Sequence, residues 1–418
     1  MTKRLSRRDF LKLAGVTSAG LALSACGVNA TELPTITPLS PTSTLSPTKT
    51  PIPTVTATST PLVPTLRTVG EKLGIVFSTT VDGAEEYRRP EYQKAAGLYF
   101  SSIFPSGSFM QSTFNQWGLD LAKHFRNLAD QYNQILYVHM IFWHQDVDEN
   151  LKSASKDEVV KFMENRVRTI LKFVNKADGN HKPTYINFFN EALRYWRGAK
   201  GLDIWENSPY FRAYGDQLIT QSYLMVYRIA QENGLVAGKD FRLIYNDYDI
   251  FRLGGKANVV FNALSKAKTD IAKELGISES EVQLDVGMQY HLDVNTPVDN
   301  TIGYFKVPTD DEMLECMQKF SEIGRIHVTE FDVMNTQSQS EYTEILNRVT
   351  QTAIKSNLCD SINYWYGLRV FETDYDRKTR ESGRENFYHP IGLFDRNYNP
   401  TDVYDSLLQG LIQLANEK

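Results

Sequence analysis

From Leu73 to the C-terminus the chain alternates short, apolar, β-rich runs with longer amphipathic ones, eight of each. The strand-like runs are Leu73–Phe77, Tyr99–Phe104, Ile135–Phe142, Thr184–Asn190, Phe241–Asn246, Asp285–Gln289, Ile326–Val333 and Ser361–Gly367. Between and after them lie helical patterns such as Glu158–Asn175, Tyr210–Glu232, Lys256–Leu275, Thr309–Ile323, Glu341–Ser356 and Thr401–Asn416. Strict alternation implies parallel strands joined by crossover helices. Eight units in roughly 350 residues fit a closed α/β barrel, a single (β/α)8 TIM barrel, better than an open doubly wound sheet. No glycine-rich phosphate loop follows the first run, which also counts against a nucleotide fold.

Such a barrel carries its chemistry where the strands end. The polar residues at those ends are therefore the candidate site: Trp143 and His144, Asn190 and Glu191, Asn246 and Asp247, Gln289 with Tyr290 and His291, Glu330 with Asp332, and Trp365 with Tyr366. Strands four and seven face each other across a barrel, so Glu191 and Glu330 are expected to converge. Two carboxylates so placed can cleave a glycosidic bond, one donating a proton to the leaving oxygen and the other acting opposite. Asp332 lies two residues beyond Glu330, on the same strand face, and can hold the His291 ring against it. His139 has two readings, a cleft residue or a satisfied polar core group.

The N-terminus reads as an address. Ser6-Arg7-Arg8-Asp9-Phe10-Leu11-Lys12 is followed by a short apolar run and by Leu23-Ser24-Ala25-Cys26. This resembles a twin-arginine export signal ending in a lipoprotein box, with Cys26 as the lipidated residue of an exported, envelope-anchored protein. Residues 27–67 are dominated by Thr, Ser and Pro, and residues 28–64 hold eight of the chain's 16 prolines. Such composition cannot bury enough apolar area to fold. A proline-rich stalk at about 3.1 Å per residue would hold residues 68–418 on the order of 100 Å from a membrane. Cys316 and Cys359 remain as either two separate buried thiols or, since export permits it, a disulfide. Neither spacing suits a metal. The net charge of −5 offers no basic field for nucleic acid.

The strand-end segments resemble family 10 glycoside hydrolases, the retaining endo-β-1,4-xylanases of clan A. His139-Met140-Ile141-Phe142-Trp143-His144, Phe188-Phe189-Asn190-Glu191-Ala192, Tyr245-Asn246-Asp247-Tyr248, Gly287-Met288-Gln289-Tyr290-His291 and Ile326-His327-Val328-Thr329-Glu330-Phe331-Asp332 carry the resemblance. Gly392-Leu393-Phe394-Asp395 and the segment from Pro400 to Tyr404 extend it to the C-terminus. It implies a polysaccharide substrate, xylan or a related hemicellulose, with no cofactor or metal. It further implies Glu191 as acid/base, Glu330 as nucleophile, Asn190 on the sugar 2-hydroxyl, His144 and Gln289 on the same sugar, and His291 with Asp332 orienting Glu330.

Three departures bear on substrate. The family's Pro-Glu-Asn-x-Met-Lys type segment after strand two is here Pro105-Ser106-Gly107-Ser108-Phe109-Met110, without the Glu, Asn and Lys that grip the next sugar. Ile186-Asn187 replaces Trp-Asp, and Trp365-Tyr366-Gly367 is one residue longer than Trp-Gly, so either aromatic can cover the cleaved sugar. Beside xylan hydrolysis stand hydrolysis of another β-glucan or decorated hemicellulose, and a carbohydrate-binding protein without turnover.

Overall fold

The computed structural model describes residues 63–81, 88–110, 116–195, 201–294, 305–334, 336–365, 367–368, 392–395 and 397–417. The strands in chain order are β1 Val76–Val81, β2 Ser102–Pro105, β3 Ile135–Trp143, β4 Thr184–Asn190, β5 Phe241–Tyr248, β6 Asp285–Asp293, β7 Phe305–Lys306, β8 Ile326–Met334 and β9 Cys359–Tyr364. Their order is β5-β4-β3-β2-β1-β9-β8-β6-β7, and β5 also pairs with β6, which closes a barrel of eight parallel strands and leaves the two-residue β7 attached to β6. The expected (β/α)8 barrel is what the chain forms.

Period-two alternation divides the strands into two faces. Phe77, Leu136, Val138, Ile186, Leu243, Val286, Val328 and Ile362 join the large core shared with the surrounding helices. Ile135, Tyr137, Tyr185 and Ile244, from the alternate positions, form with Phe104 a separate small cluster inside the barrel, with Trp365 packed against it. The barrel floor is polar. Arg242 pairs with Asp285, whose Oδ2 lies 3.3 Å from His327 Nε2, and His327 Nδ1 lies 2.8 Å from Ser361 Oγ. Burial opposes the Asp285 charge, yet His327 and Arg242 outweigh it and hold that carboxyl below its ordinary range.

Helix starts follow capping chemistry. Thr65 caps Leu66–Leu73, Ser155 caps Lys156–Ile170 and Thr309 caps Asp310–Phe320, each as a reciprocal capping box. The first strand therefore begins at Val76, three residues later than the pattern predicts, because Leu73 ends a helix stopped by Gly74 at φ 72°. Tyr99 likewise ends a helix, so β2 begins at Ser102. The run from Tyr210 to Glu232 is not one helix. It divides into Pro209–Tyr214, a 3-10 turn at Gly215–Gln217 and Leu218–Glu232. Cys316 and Cys359 are free buried thiols, each donating to a backbone carbonyl, and burial pushes both up to about 12. Among the described residues no helix is long and apolar enough to cross a membrane.

Candidate active site

Simple alternation would not bring the two glutamates to the mouth as they stand. Thr329 faces inward, where its hydroxyl donates to Asn246 Oδ1, so its neighbour Glu330 should face the helices. The register of β8 against β9 shifts between Val328 and Phe331, and Glu330 takes a left-handed backbone at φ 53°. That bulge turns Glu330 inward beside Thr329. Glu191 also sits at φ 53°, just after a register shift in β4 between Asn187 and Phe189. Further shifts interrupt β3 between His139 and Phe142 and β6 between Gln289 and His291.

The side chains so gathered form one network. Asn246 Nδ2 donates to Glu330 Oε1 at 2.7 Å and to Asn190 Oδ1 at 2.8 Å. Asn190 Oδ1 also accepts from Asn187 Nδ2 at 3.2 Å and from Gln289 Nε2 at 3.3 Å. Three amides on its oxygen turn the Asn190 Nδ2 away from them. Gln289 Nε2 reaches Glu191 Oε1 at 3.2 Å, and Trp143 Nε1 donates to Glu191 Oε2 at 3.2 Å. Each glutamate thus has both oxygens engaged, since His291 Nε2 lies 3.1 Å from Glu330 Oε2. Gly287 makes room for this. A Cβ there would stand 2.5 Å from Asn246 Oδ1.

Electrostatics separate the two histidines. Burial disfavours a charged His291, but the carboxylates of Asp332, at 2.8 Å from Nδ1, and Glu330 outweigh it and raise the imidazole to about 10. Both of its nitrogens therefore donate. At His139 burial prevails over the pull of Glu330 and Glu191, and its ordinary value is lowered. Asn187 Nδ2 can only donate to His139 Nδ1, 2.8 Å away, so the neutral ring carries its proton on Nε2, 3.9 Å from Glu330 Oε1.

The structure brings together Trp143, Asn190, Glu191, Asn246, Gln289, His291, Glu330 and Asp332. His144 stands at the rim with its Nε2 3.9 Å from Glu206 Oε2. Trp365 lies one residue past β9, not within a strand, and its ring meets those of His139, His291 and Phe104 at 5.6, 6.0 and 5.9 Å. Tyr366 and Cys26 lie outside the described residues.

Several members escape a reading by strand ends. Lys256 is buried with its Nζ 2.5 Å from Asp247 Oδ1, while Tyr245 Oη donates to Asp247 Oδ2 at 2.7 Å. Burial nevertheless raises Asp247 to about 6, with Lys256 opposing. A lysine in the first turn of a helix opposes the helix dipole, and that is the one signal that could have found it. Among the described residues no group of His, Cys, Asp and Glu could hold a metal ion.

A closed parallel barrel whose mouth holds two buried, doubly hydrogen-bonded glutamates, one just after β4 and one in β8 with β5 and β6 between those strands, is the architecture of a glycoside hydrolase. A family model described as Glycosyl hydrolase family 10 matches residues 65–410, and the chain belongs to that family. It is 22% identical over 374 residues to endo-1,4-beta-xylanase B of Thermotoga neapolitana, covering 84% of this chain and 93% of that one. Among solved structures, native xylanase 10B from Thermotoga maritima shares the fold with a TM-score of 0.63 at 19% identity, covering 85% of this chain and 100% of that one. Xylanase 10B from Thermotoga petrophila, solved in complex with xylobiose, gives 0.63 at 19%, with 84% and 98% covered.

Proposed function

We propose that this glycosyl hydrolase is a retaining endo-β-1,4-xylanase in which Glu330 is the nucleophile and Glu191 the acid/base. The observation that carries this reading is the pair of clamps on Glu330, Asn246 at 2.7 Å on one oxygen and His291, backed by Asp332, at 3.1 Å on the other. They fix the carboxylate plane for attack on the anomeric carbon. As that carbon–oxygen bond breaks, Glu191 gives its proton to the leaving oxygen. A glycosyl ester on Glu330 results. Glu191 then takes a proton from water, whose oxygen attacks the ester's sugar carbon and frees Glu330. Asn190, with its amide nitrogen turned from the network, bonds the 2-hydroxyl of the sugar being cleaved. His144, Gln289 and Trp365 bound the same sugar.

The β2 loop favours a second reading, hydrolysis of another β-glucan or a decorated hemicellulose. Ser106, Gly107 and Ser108 present no carboxylate, amide or ammonium there, and Phe109 is buried. Purified chain incubated with xylan, mixed-linkage β-glucan and mannan decides between them. New reducing ends are expected from xylan and not with Glu330→Gln. Release only from glucan or mannan would move the assignment to the second reading, and turnover unaffected by Glu330→Gln would remove the nucleophile assignment.

In the same reading the protein is exported and anchored outside the cytoplasm by a lipid on Cys26, with the Thr-, Ser- and Pro-rich stretch as the stalk and the hydrolase domain starting at the helix that Thr65 caps, three residues before the expected residue 68. The arginine pair, apolar run and boxed cysteine, in that order, support it. Labelled fatty acid should enter the wild-type chain in cells and not Cys26→Ala.

A further inference from the structure

The loop after β4 carries a tyrosine that the chemistry above leaves unused. Tyr195 follows Glu191 by four residues, a reach of at most about 14 Å, and it is 47% exposed. Its ring is seated on glycine. A Cβ added to Gly255, on the loop after the neighbouring β5, would meet Tyr195 Cε1, Cδ1 and Cζ at 3.3, 3.5 and 3.8 Å. Leu253, 37% exposed, precedes that glycine pair.

The glycines are costly where they stand. Gly254 and Gly255 have φ of 107° and 40° and open a helix of 21 residues, Gly255–Leu275, with no side-chain cap. A Cβ at Gly254 would stand in open space, whereas at Gly255 it would meet the Tyr195 ring, so Gly255 is the position whose bare backbone lets that ring lie close.

We infer that Tyr195, seated on Gly255, is a stacking platform for a sugar on the leaving-group side of the cleft, a specificity contact for long β-linked substrates. This rests on the hydrolase reading above. Glu191 protonates the leaving oxygen, so the departing chain lies on the side of Glu191, where the loops after β4 and β5 form the border. The register joins these two strands at Asn190 and Asn246, and Glu191 N donates to Asn246 O at 2.9 Å. A pyranose offers a face of C–H groups, and an exposed aromatic ring held at fixed height binds such a face with little loss of side-chain freedom.

The test compares wild type, Tyr195→Ala and Tyr195→Phe on xylohexaose and on an aryl β-xylobioside, whose short leaving group does not extend along the loops. Tyr195→Ala should lose about five- to tenfold in kcat/KM on xylohexaose and be unchanged on the aryl substrate, while Tyr195→Phe stays near wild type on both. Equal loss on both substrates, or no loss on xylohexaose, overturns the inference. Wild-type inactivity on both would overturn the xylanase reading itself, and this inference with it.

Discussion

His291 is held at both ends by carboxylates, its Nε2 3.1 Å from Glu330 and its Nδ1 2.8 Å from Asp332. Asp332 therefore sets both the charge and the angle of the ring that clamps Glu330. Asp332→Asn keeps the shape and removes the charge that raises His291. It should lower kcat by about ten- to a hundredfold through misplacement of Glu330, with KM little changed, in steady-state assays on xylan.

Trp143 Nε1 donates to Glu191 Oε2 at 3.2 Å and orients that carboxyl, the acid/base of our proposal. Trp143→Phe keeps an aromatic six-membered ring and removes the pyrrole ring with its N–H. We expect a loss of about fivefold or more in kcat/KM for xylo-oligosaccharides, whose leaving oxygen needs a proton. An aryl xylobioside with an acidic phenol should feel little of it, and equal losses would place Trp143 in sugar binding instead.

Gly287→Ala inserts a methyl that would stand 2.5 Å from Asn246 Oδ1 and 3.0 Å from Ile244 Cγ2. Asn246 must move, and Asn190 and Glu330 each lose one of their donors. Thermal or urea unfolding should show a destabilisation of about 1–3 kcal/mol, and activity should fall further than stability explains.

Lys256→Met leaves Asp247 buried without its ammonium partner, which should cost about 3–5 kcal/mol near neutral pH. Asp247 is raised to about 6 even with Lys256 present, above an unfolded value near 3.9. The folded state holds the extra proton in that window, so its stability from this group falls as pH rises from about 4 to about 6. The variant should extend that fall to higher pH. A denaturation series across pH checks it, and Lys256→Met with Asp247→Asn should recover part of the loss.

The existence and type of the barrel strands were legible because period-two apolar runs and helical patterns alternate without a gap. Their ends were less so. Leu73 and Tyr99 read as strand residues by hydrophobicity, yet each closes a helix, and Gly215 divides what periodicity reads as one helix from Tyr210 to Glu232. The catalytic candidates stood out as polar residues at strand ends. How Glu330 comes to face the cleft beside Thr329 was not legible, since a bulge leaves no residue pattern of its own. Lys256 was hidden for another reason: a helix-start lysine reads as solvent-exposed, and only the packed structure buries it against Asp247.

Glu191 and Glu330 share one unusual trait, a φ of 53° that side chains other than glycine and asparagine adopt at a cost of about 1 kcal/mol or more. A random library screened for heat resistance alone would therefore tend to drift toward glycine or asparagine at positions 191 and 330. The two residues to which we assign the chemistry are also places where the fold gains by losing them. Selection for turnover and selection for durability pull this barrel mouth in opposite directions.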